Sequence, residues 1–348
     1  MRRGVVVSLA AVVAVLSLAA LVGSALAWSE LNRRYAGWPG AAEGGEQVVV
    51  LLQPGESAGT MLWRLGDQGV VRNPGLVRTW VRLAGDADRL RAGEYVFDRP
   101  VSPLEVIETI RSGKVLLHAV TIPEGLSMPE TARRLADGTF GEERLFLETM
   151  GKPDLVSELD PEAEDLEGYL FPDTYHFPRT ATEEEIVAAM IRRFREVVGN
   201  DYPGVEVENA MTLRKAVTLA SLIEKETSLH GERNRISRVF HNRLRLGMKL
   251  QCDPTVTYAL RRDGREVGRL TYKDLEYASP FNTYHTAGLP PGPIASPGRD
   301  SLLAAVAPSE GPELYFVASP EGGHRFSNRL EDHLKAVREY RRWVKGSR

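Results

Sequence analysis

The chain has a single cysteine, Cys252, which excludes an internal disulfide framework and leaves a cysteine-ligated metal site nothing to be built from. As a small, apolar residue it is expected to fill core space. Seven histidines (118, 176, 230, 241, 285, 324 and 333) are scattered without ligand spacing, and no His-Glu-x-x-His pattern occurs. Neither a Gly-x-Ser-x-Gly elbow nor a phosphate-cradling P-loop is present. Excess positive charge is missing as well: 44 Lys and Arg stand against 47 Asp and Glu, for a net charge of −3. Nucleic acid is therefore not an expected partner, and neither a metal nor a cofactor is expected. What remains is acid/base chemistry by carboxylates, with a neutral or weakly charged polymer as a fitting substrate.

Charge is also absent from Gly4 to Trp28, a run dominated by Val, Ala and Leu. At about 1.5 Å per residue this run spans the roughly 30 Å hydrocarbon core of a bilayer. Arg2 and Arg3 favour an N-terminus held inside, although Arg33 and Arg34 beyond the run weaken the asymmetry. The expectation is a single-pass anchor at residues 4–28, a cytoplasmic tail at 1–3, and the bulk of the chain outside the cytoplasm. The competing reading is a cleaved signal peptide, since Ala25-Leu-Ala27 fits a small-residue cleavage pattern.

At 348 residues, 43% of them hydrophobic, the chain exceeds what one core usually serves. Residues 29–46, rich in Gly and Pro toward their end, read as a linker. Val48–Leu52 then reads as a strand, Pro54-Gly55 as a turn, and Ser57 as the cap of a helix from Ala58 to Leu65. Asn73-Pro-Gly75 opens a second helix, Arg91–Phe97 is a strand, and Ser102-Pro103 caps a third helix ending at Gly113. A related device returns about 70 residues later, where Gly125, Ser127, Arg134 and Leu135 align with Gly55, Ser57, Arg64 and Leu65. The expected fold class is α+β: a small module at 47–116 and a larger domain at 118–345. That domain holds helices from about Thr182 to Val198, Leu213 to Thr227 and Asn234 to Leu246, and loop-like stretches at 250–256, 280–285 and 288–298.

The most informative helix is Leu213–Thr227, an apolar run ended by two glutamates. Arg214, Thr218, Ser221 and Lys225 form its polar stripe, expected to face water, and both Glu224 and Glu226 fall outside it. Glu226 shares its face with Leu219, Leu222 and Ile223, an apolar setting that raises a carboxyl pKa. A carboxylic acid that keeps its proton near neutral pH can act as a general acid. Glu224 shares a face with Leu213, Val217 and Ala220. It is expected to accept hydrogen bonds from a backbone or an arginine and orient the following loop, with substrate contact and catalysis as alternatives.

Glu167-Gly-Tyr-Leu-Phe-Pro-Asp-Thr-Tyr175, Leu222-Ile-Glu-Lys-Glu-Thr227, Arg238-Val-Phe-x-Asn-Arg-Leu244, Leu250-Gln-x-Asp-Pro-Thr-Val256, Asn282-Thr-Tyr284 and Gly288-Leu-Pro-Pro-Gly-x-Ile294 occur in order. Together they resemble the YceG-like endolytic murein transglycosylases. The resemblance implies a membrane-anchored enzyme with a LysM-like module at 47–116 before the catalytic domain. It implies peptidoglycan glycan strands as substrate, cut non-hydrolytically at the β-1,4 bond between N-acetylmuramic acid and N-acetylglucosamine to leave a 1,6-anhydro end. Cell-wall synthases of the penicillin-binding class are candidate partners. The family's catalytic acid maps to Glu226; Thr227, Gln251, Asp253, Thr255, Asn282, Tyr284, Glu224 and Glu167 are substrate-binding candidates, with Glu167 also a candidate structural cap. Two alternatives stand beside this reading: a hydrolytic muramidase pairing Glu226 with Asp253, and a non-catalytic scaffold that binds peptidoglycan and recruits synthases.

Overall fold

A computed structural model of the chain describes residues 2–39, 46–201 and 211–346. The chain divides into two compact units, Met1–His118 with His176–Thr180, and Ala119–Tyr175 with Ala181–Arg348.

The first unit begins with α1 (Arg2–Asn32), a helix with no charged residue from Gly4 to Trp28. From Ala10 to Asn32 it is long and apolar enough to cross a membrane by length and composition, and its apolar surface is not buried by protein. Leu31 and Trp38 nevertheless belong to the core of this unit, and the backbones of Tyr35 and Val101 exchange two hydrogen bonds at 2.9 and 3.2 Å. The described part of the stretch expected to be a linker is therefore folded onto the module. Its Gly and Pro content hides two apolar anchors, while residues 40–45 lie outside the described residues.

Strand β1 (Val48–Leu52), helices α2 (Ala58–Asp67) and α3 (Pro74–Ala84), strand β2 (Gly93–Phe97) and helix α4 (Pro103–Ser112) complete the unit. The strands pair antiparallel, with Val50 opposite Tyr95 and Leu52 opposite Gly93, so one face of the ribbon is buried. Local chemistry sets the boundaries. Ser57 accepts from Thr60 N at 3.1 Å, and Ser102 forms a reciprocal capping box with Glu105. Leu62 and Leu65 are fully buried, each contributing roughly 1.5–3 kcal/mol.

Strand β3 (His118–Thr121) pairs with β4 (Thr174–Phe177), and between them in the chain, within the second unit, lie α5 (Met128–Asp137) and α6 (Glu143–Met150). The internal echo is structural: Gly55 and Gly125 both take left-handed φ, +79° and +77°, and Ser57 and Ser127 both cap the helix that follows. Next come α7 (Glu183–Asp201), α8 (Leu213–Glu226), α9 (Arg233–Arg245), α10 (Asp253–Arg262), α11 (Tyr272–Leu275) and α12 (Arg299–Val306). A hairpin of β5 (Tyr315–Ala318) and β6 (His324–Ser327) and the helix α13 (Leu330–Gly346) close the unit. Only its beginning at 250–252 makes the 250–256 stretch a loop, because α10 starts at Asp253. Pro254 sits in the first turn, where a missing N–H costs nothing.

Candidate active site

Helix α8 runs through the core of the second unit against α9 and α12. Thr212 caps it, accepting from Lys215 N at 3.4 Å, and every residue from Ala216 to Ile223 is buried. The middle of the polar stripe expected to face water, Thr218 and Ser221, is thus inside the protein, while Arg214 is half-buried and Lys225 is exposed at the two ends. Its hydroxyls are satisfied locally: Thr218 donates to Arg214 O at 2.7 Å, and Ser221 donates to Thr218 O at 2.7 Å while accepting from Ile294 N at 3.1 Å. Periodicity alone could not separate a solvated stripe from small hydroxyls that bond back to their own helix.

The helix emerges at its last turn with Glu224, Lys225 and Glu226. Glu226 is partly exposed, yet protein surrounds its carboxyl closely enough that burial pushes its pKa up to about 7. A hydrogen bond from the Cys252 thiol lowers it, the charge of Asp253 raises it, and His324 and Arg243 lower it. Burial and the charge of Glu226 in turn raise the Cys252 thiol well above its ordinary value, so it stays a proton donor and not a thiolate nucleophile. Cys252 is buried, as a packing residue should be, but it also touches the acid, which its place in the sequence did not reveal.

Two residues back, Glu224 is fully engaged. Its Oε1 accepts from Arg233 Nη2 at 3.0 Å and its Oε2 from Gly298 N at 2.9 Å. Arg233 also reaches Glu124 at 3.3 Å and Ser301 Oγ at 2.9 Å, so one buried guanidinium ties three segments together. Gly298 lets the Glu124 carboxylate lie against the backbone here, since a Cβ would stand 2.0 Å from it and the side chain would have to move aside. Burial and the neighbouring Glu224 raise the pKa of Glu124. This is a loop-holding cluster.

The other sequence candidates divide into two groups. Gln251 and Asp253 are exposed and Tyr284 is partly so. The Tyr284 hydroxyl donates to Asp253 Oδ1 at 2.6 Å, and electrostatic coupling of both residues to Glu226 places them around the acid. Gln251 holds a left-handed φ of +51°, which costs roughly 1–2 kcal/mol for a residue with a Cβ. Its backbone N donates to Thr283 O at 3.2 Å, and its side chain is left outward. Strain of this kind gathers at functional sites.

Thr227, Thr255, Asn282 and Glu167 instead work inside the fold. Thr227 Oγ1 accepts from Leu229 N at 3.0 Å, and Thr255 Oγ1 donates to Cys252 O at 2.6 Å. The Asn282 amide donates to Leu275 O and Tyr277 O at 3.0 and 2.7 Å, and its oxygen accepts from Tyr284 N at 2.9 Å. Asn282 is fully buried with its amide spent on these partners. Glu167 accepts from Met128 N at 3.0 Å, capping α5, and burial pushes its pKa up to about 8.

Three residues around the acid escaped the sequence reading. Arg243, buried on α9, donates to Leu250 O and Leu314 O, each at 2.7 Å, and lies 5.2 Å from the Tyr315 ring centre. It fastens the loop bearing Gln251 and Cys252 to β5. Glu232 binds His324 twice, accepting its backbone N at 2.8 Å and pairing with Nδ1 at 2.7 Å. That pair spans 92 residues, a separation no local pattern signals. The hint for Arg243 was its place in the Arg238–Leu244 motif, beside the apolar Val239 and Phe240. Among the described residues no group of His, Cys, Asp and Glu is arranged to hold a metal ion.

A half-buried carboxylic acid at a helix end, flanked by a thiol donor, a Tyr–Asp pair and a strained polar loop, defines a site for proton-transfer chemistry in an α+β domain. The chain belongs to the YceG-like family, whose model matches residues 50–339. It is 33% identical over 309 residues to a Bacillus subtilis (strain 168) protein named endolytic murein transglycosylase, covering 84% of each. A Streptococcus pneumoniae (strain R6) protein of the same name is 28% identical over 322 residues, which cover 84% of this chain and 58% of that one. A crystal structure of a yceG-like protein from Listeria monocytogenes is also similar, with a TM-score of 0.57 and 33% identity, covering 84% of this chain and 99% of the other.

Proposed function

We propose that this protein is an endolytic peptidoglycan lytic transglycosylase, anchored in the plasma membrane by α1, that ends nascent glycan strands outside the cytoplasm. Family membership and the relatives' names support the reaction class. The observation that carries the mechanism is Glu226, held near half-protonation at neutral pH at the end of a buried helix.

Glu226 first protonates the glycosidic oxygen as the N-acetylglucosamine leaving group departs. Now a carboxylate, it takes the proton from the C6 hydroxyl of the same muramoyl residue, whose oxygen attacks C1. The product is a 1,6-anhydro end, and no water is consumed. One carboxyl suffices because the nucleophile belongs to the substrate, and proximity supplies much of the rate. Gln251, Asp253 and Tyr284 line the substrate path. Glu224, Thr227, Thr255, Asn282 and Glu167 position it. Residues 47–116 serve as a LysM-like glycan-binding module, and cell-wall synthases are partners at the membrane.

The test is mass spectrometry of products from uncrosslinked glycan strands incubated with the full chain in detergent, wild type beside Glu226→Gln. Internal fragments with 1,6-anhydro ends from wild type alone are expected. Reducing ends carrying oxygen from labelled water would reassign the reaction to a muramidase, and undiminished cleavage by Glu226→Gln would remove the assigned acid.

A further inference from the structure

The first unit carries a cluster that the proposed reaction does not use. A cavity of about 240 Å³ lies beside the end of α1, with Glu30, Arg33, Arg34, Tyr35, Arg72 and Leu76 in its lining. It is smaller than the cavities of about 300–1,000 Å³ that enclose whole drug-sized ligands. Its charge is one-sided. Arg72 approaches Glu30 only to 3.9 Å, and Arg34 shares Glu105 with Arg99, at 3.2 and 3.5 Å. Arg33 has no acidic partner among the described residues. The lining thus carries three guanidiniums against one carboxylate, and their planar forks match the oxygens of a phosphate.

Beside this cavity is an apolar rim. Trp28 of α1 meets Trp80 of α3 with ring centres 5.6 Å apart, and Trp28 remains half exposed. Helix α3 turns Val77 and Val81 into the core yet leaves Leu83, 80% exposed, on its outside. Trp28 lies about 6 Å from the helix end at Asn32, at roughly 1.5 Å per residue, and Arg33 follows directly, which suits tryptophan at a bilayer interface and arginine among headgroups. A dissolved anion would need the arginines but not the rim.

We propose that the Arg33–Arg34–Arg72 cavity binds the phosphate of an anionic phospholipid in the leaflet that α1 enters, with Trp28, Trp80 and Leu83 resting at the acyl boundary. This rests on the anchored reading of α1. Lipid binding of this kind seats the first unit against the membrane.

The experiment is native mass spectrometry of the full chain released from detergent micelles containing phosphatidylglycerol or phosphatidylcholine, wild type beside Arg33→Gln/Arg34→Gln/Arg72→Gln. Wild type is expected to retain phosphatidylglycerol at least about tenfold better than the variant and better than it retains phosphatidylcholine. Equal retention by the variant, or loss of the lipid to millimolar inorganic phosphate, overturns the proposal. A second readout is fluorescence quenching in bilayers of dibrominated phosphatidylglycerol, expected to fall on Trp80→Phe; an unchanged quench overturns the rim's role. Resistance of the wild type to alkaline extraction from membranes reads the anchor separately: extraction of an otherwise lipid-selective protein would refute the anchor and leave the lipid site standing.

Discussion

Replacing Cys252 by alanine tests whether the acidity of Glu226 governs catalysis. With a pKa of about 7, roughly half of the Glu226 carboxyls carry a proton at pH 7, against about one in 300 at the ordinary value of 4.5. Burial thus enlarges the active population about 150-fold at that pH. The Cys252 thiol opposes this by donating to the ionised form. A thiol is a weak donor, so its loss is worth roughly 1 kcal/mol, below the usual range of about 1.5–3 kcal/mol for bonds to charged groups, or about half to one pH unit. The alkaline limb of kcat/KM, set by loss of the proton from free enzyme, should move up by that amount in Cys252→Ala. Cys252→Ser, a stronger donor, should move it down. The assay is release of anhydro-ended fragments from uncrosslinked strands between pH 5.5 and 9, a range that brackets the limb. A limb that stays fixed in both variants would mean that the group titrating in catalysis is not Glu226, or that the thiol does not bind it.

Other consequences concern the scaffold. Arg233→Met leaves buried Glu224 without its cation, and should cost about 3–5 kcal/mol of stability in urea unfolding; a loss below 1 kcal/mol would contradict the role of the cluster. Glu167 holds a proton up to about pH 8 when folded and loses it near 4.5 when unfolded, so the folded state binds more protons in that window. Its contribution to stability is therefore present below about 4.5 and declines as pH rises to 8. Glu167→Gln should flatten the decline in unfolding free energy by an amount on the order of a few kcal/mol, read by calorimetry at several pH values. Gln251→Gly relieves a left-handed φ at the cost of a floppier unfolded chain, so stability should change by less than about 1 kcal/mol. Cleavage should fall at least about tenfold if the Gln251 side chain binds glycan; unchanged kinetics would remove it from the site.

Legibility followed the range of the interactions. The first module was readable residue by residue because Ser57, Pro74, Ser102 and Gly113 act on neighbours within a turn or two. The same holds for α8, whose apolar run closed by two glutamates marked its extent. Chemistry that depends on distant partners was not readable. Nothing near His324 announces Glu232, nothing near Asn282 shows that its amide is spent on a neighbouring turn, and Thr218 and Ser221 look solvent-facing until the tertiary fold buries them. Pro254 misled for a different reason, since a proline that opens a helix resembles one that forbids it.

Glu226 is the final residue of its helix, and chain direction matters there. The last turn of α8 presents free carbonyl oxygens, the negative end of the macrodipole, which disfavours a carboxylate by about 0.3–1 kcal/mol. Part of the acid's hold on its proton at neutral pH is therefore written into the polarity of the backbone and needs no side chain. The same residues on a helix running the other way would set the carboxyl against amide N–H groups, which favour its ionised form.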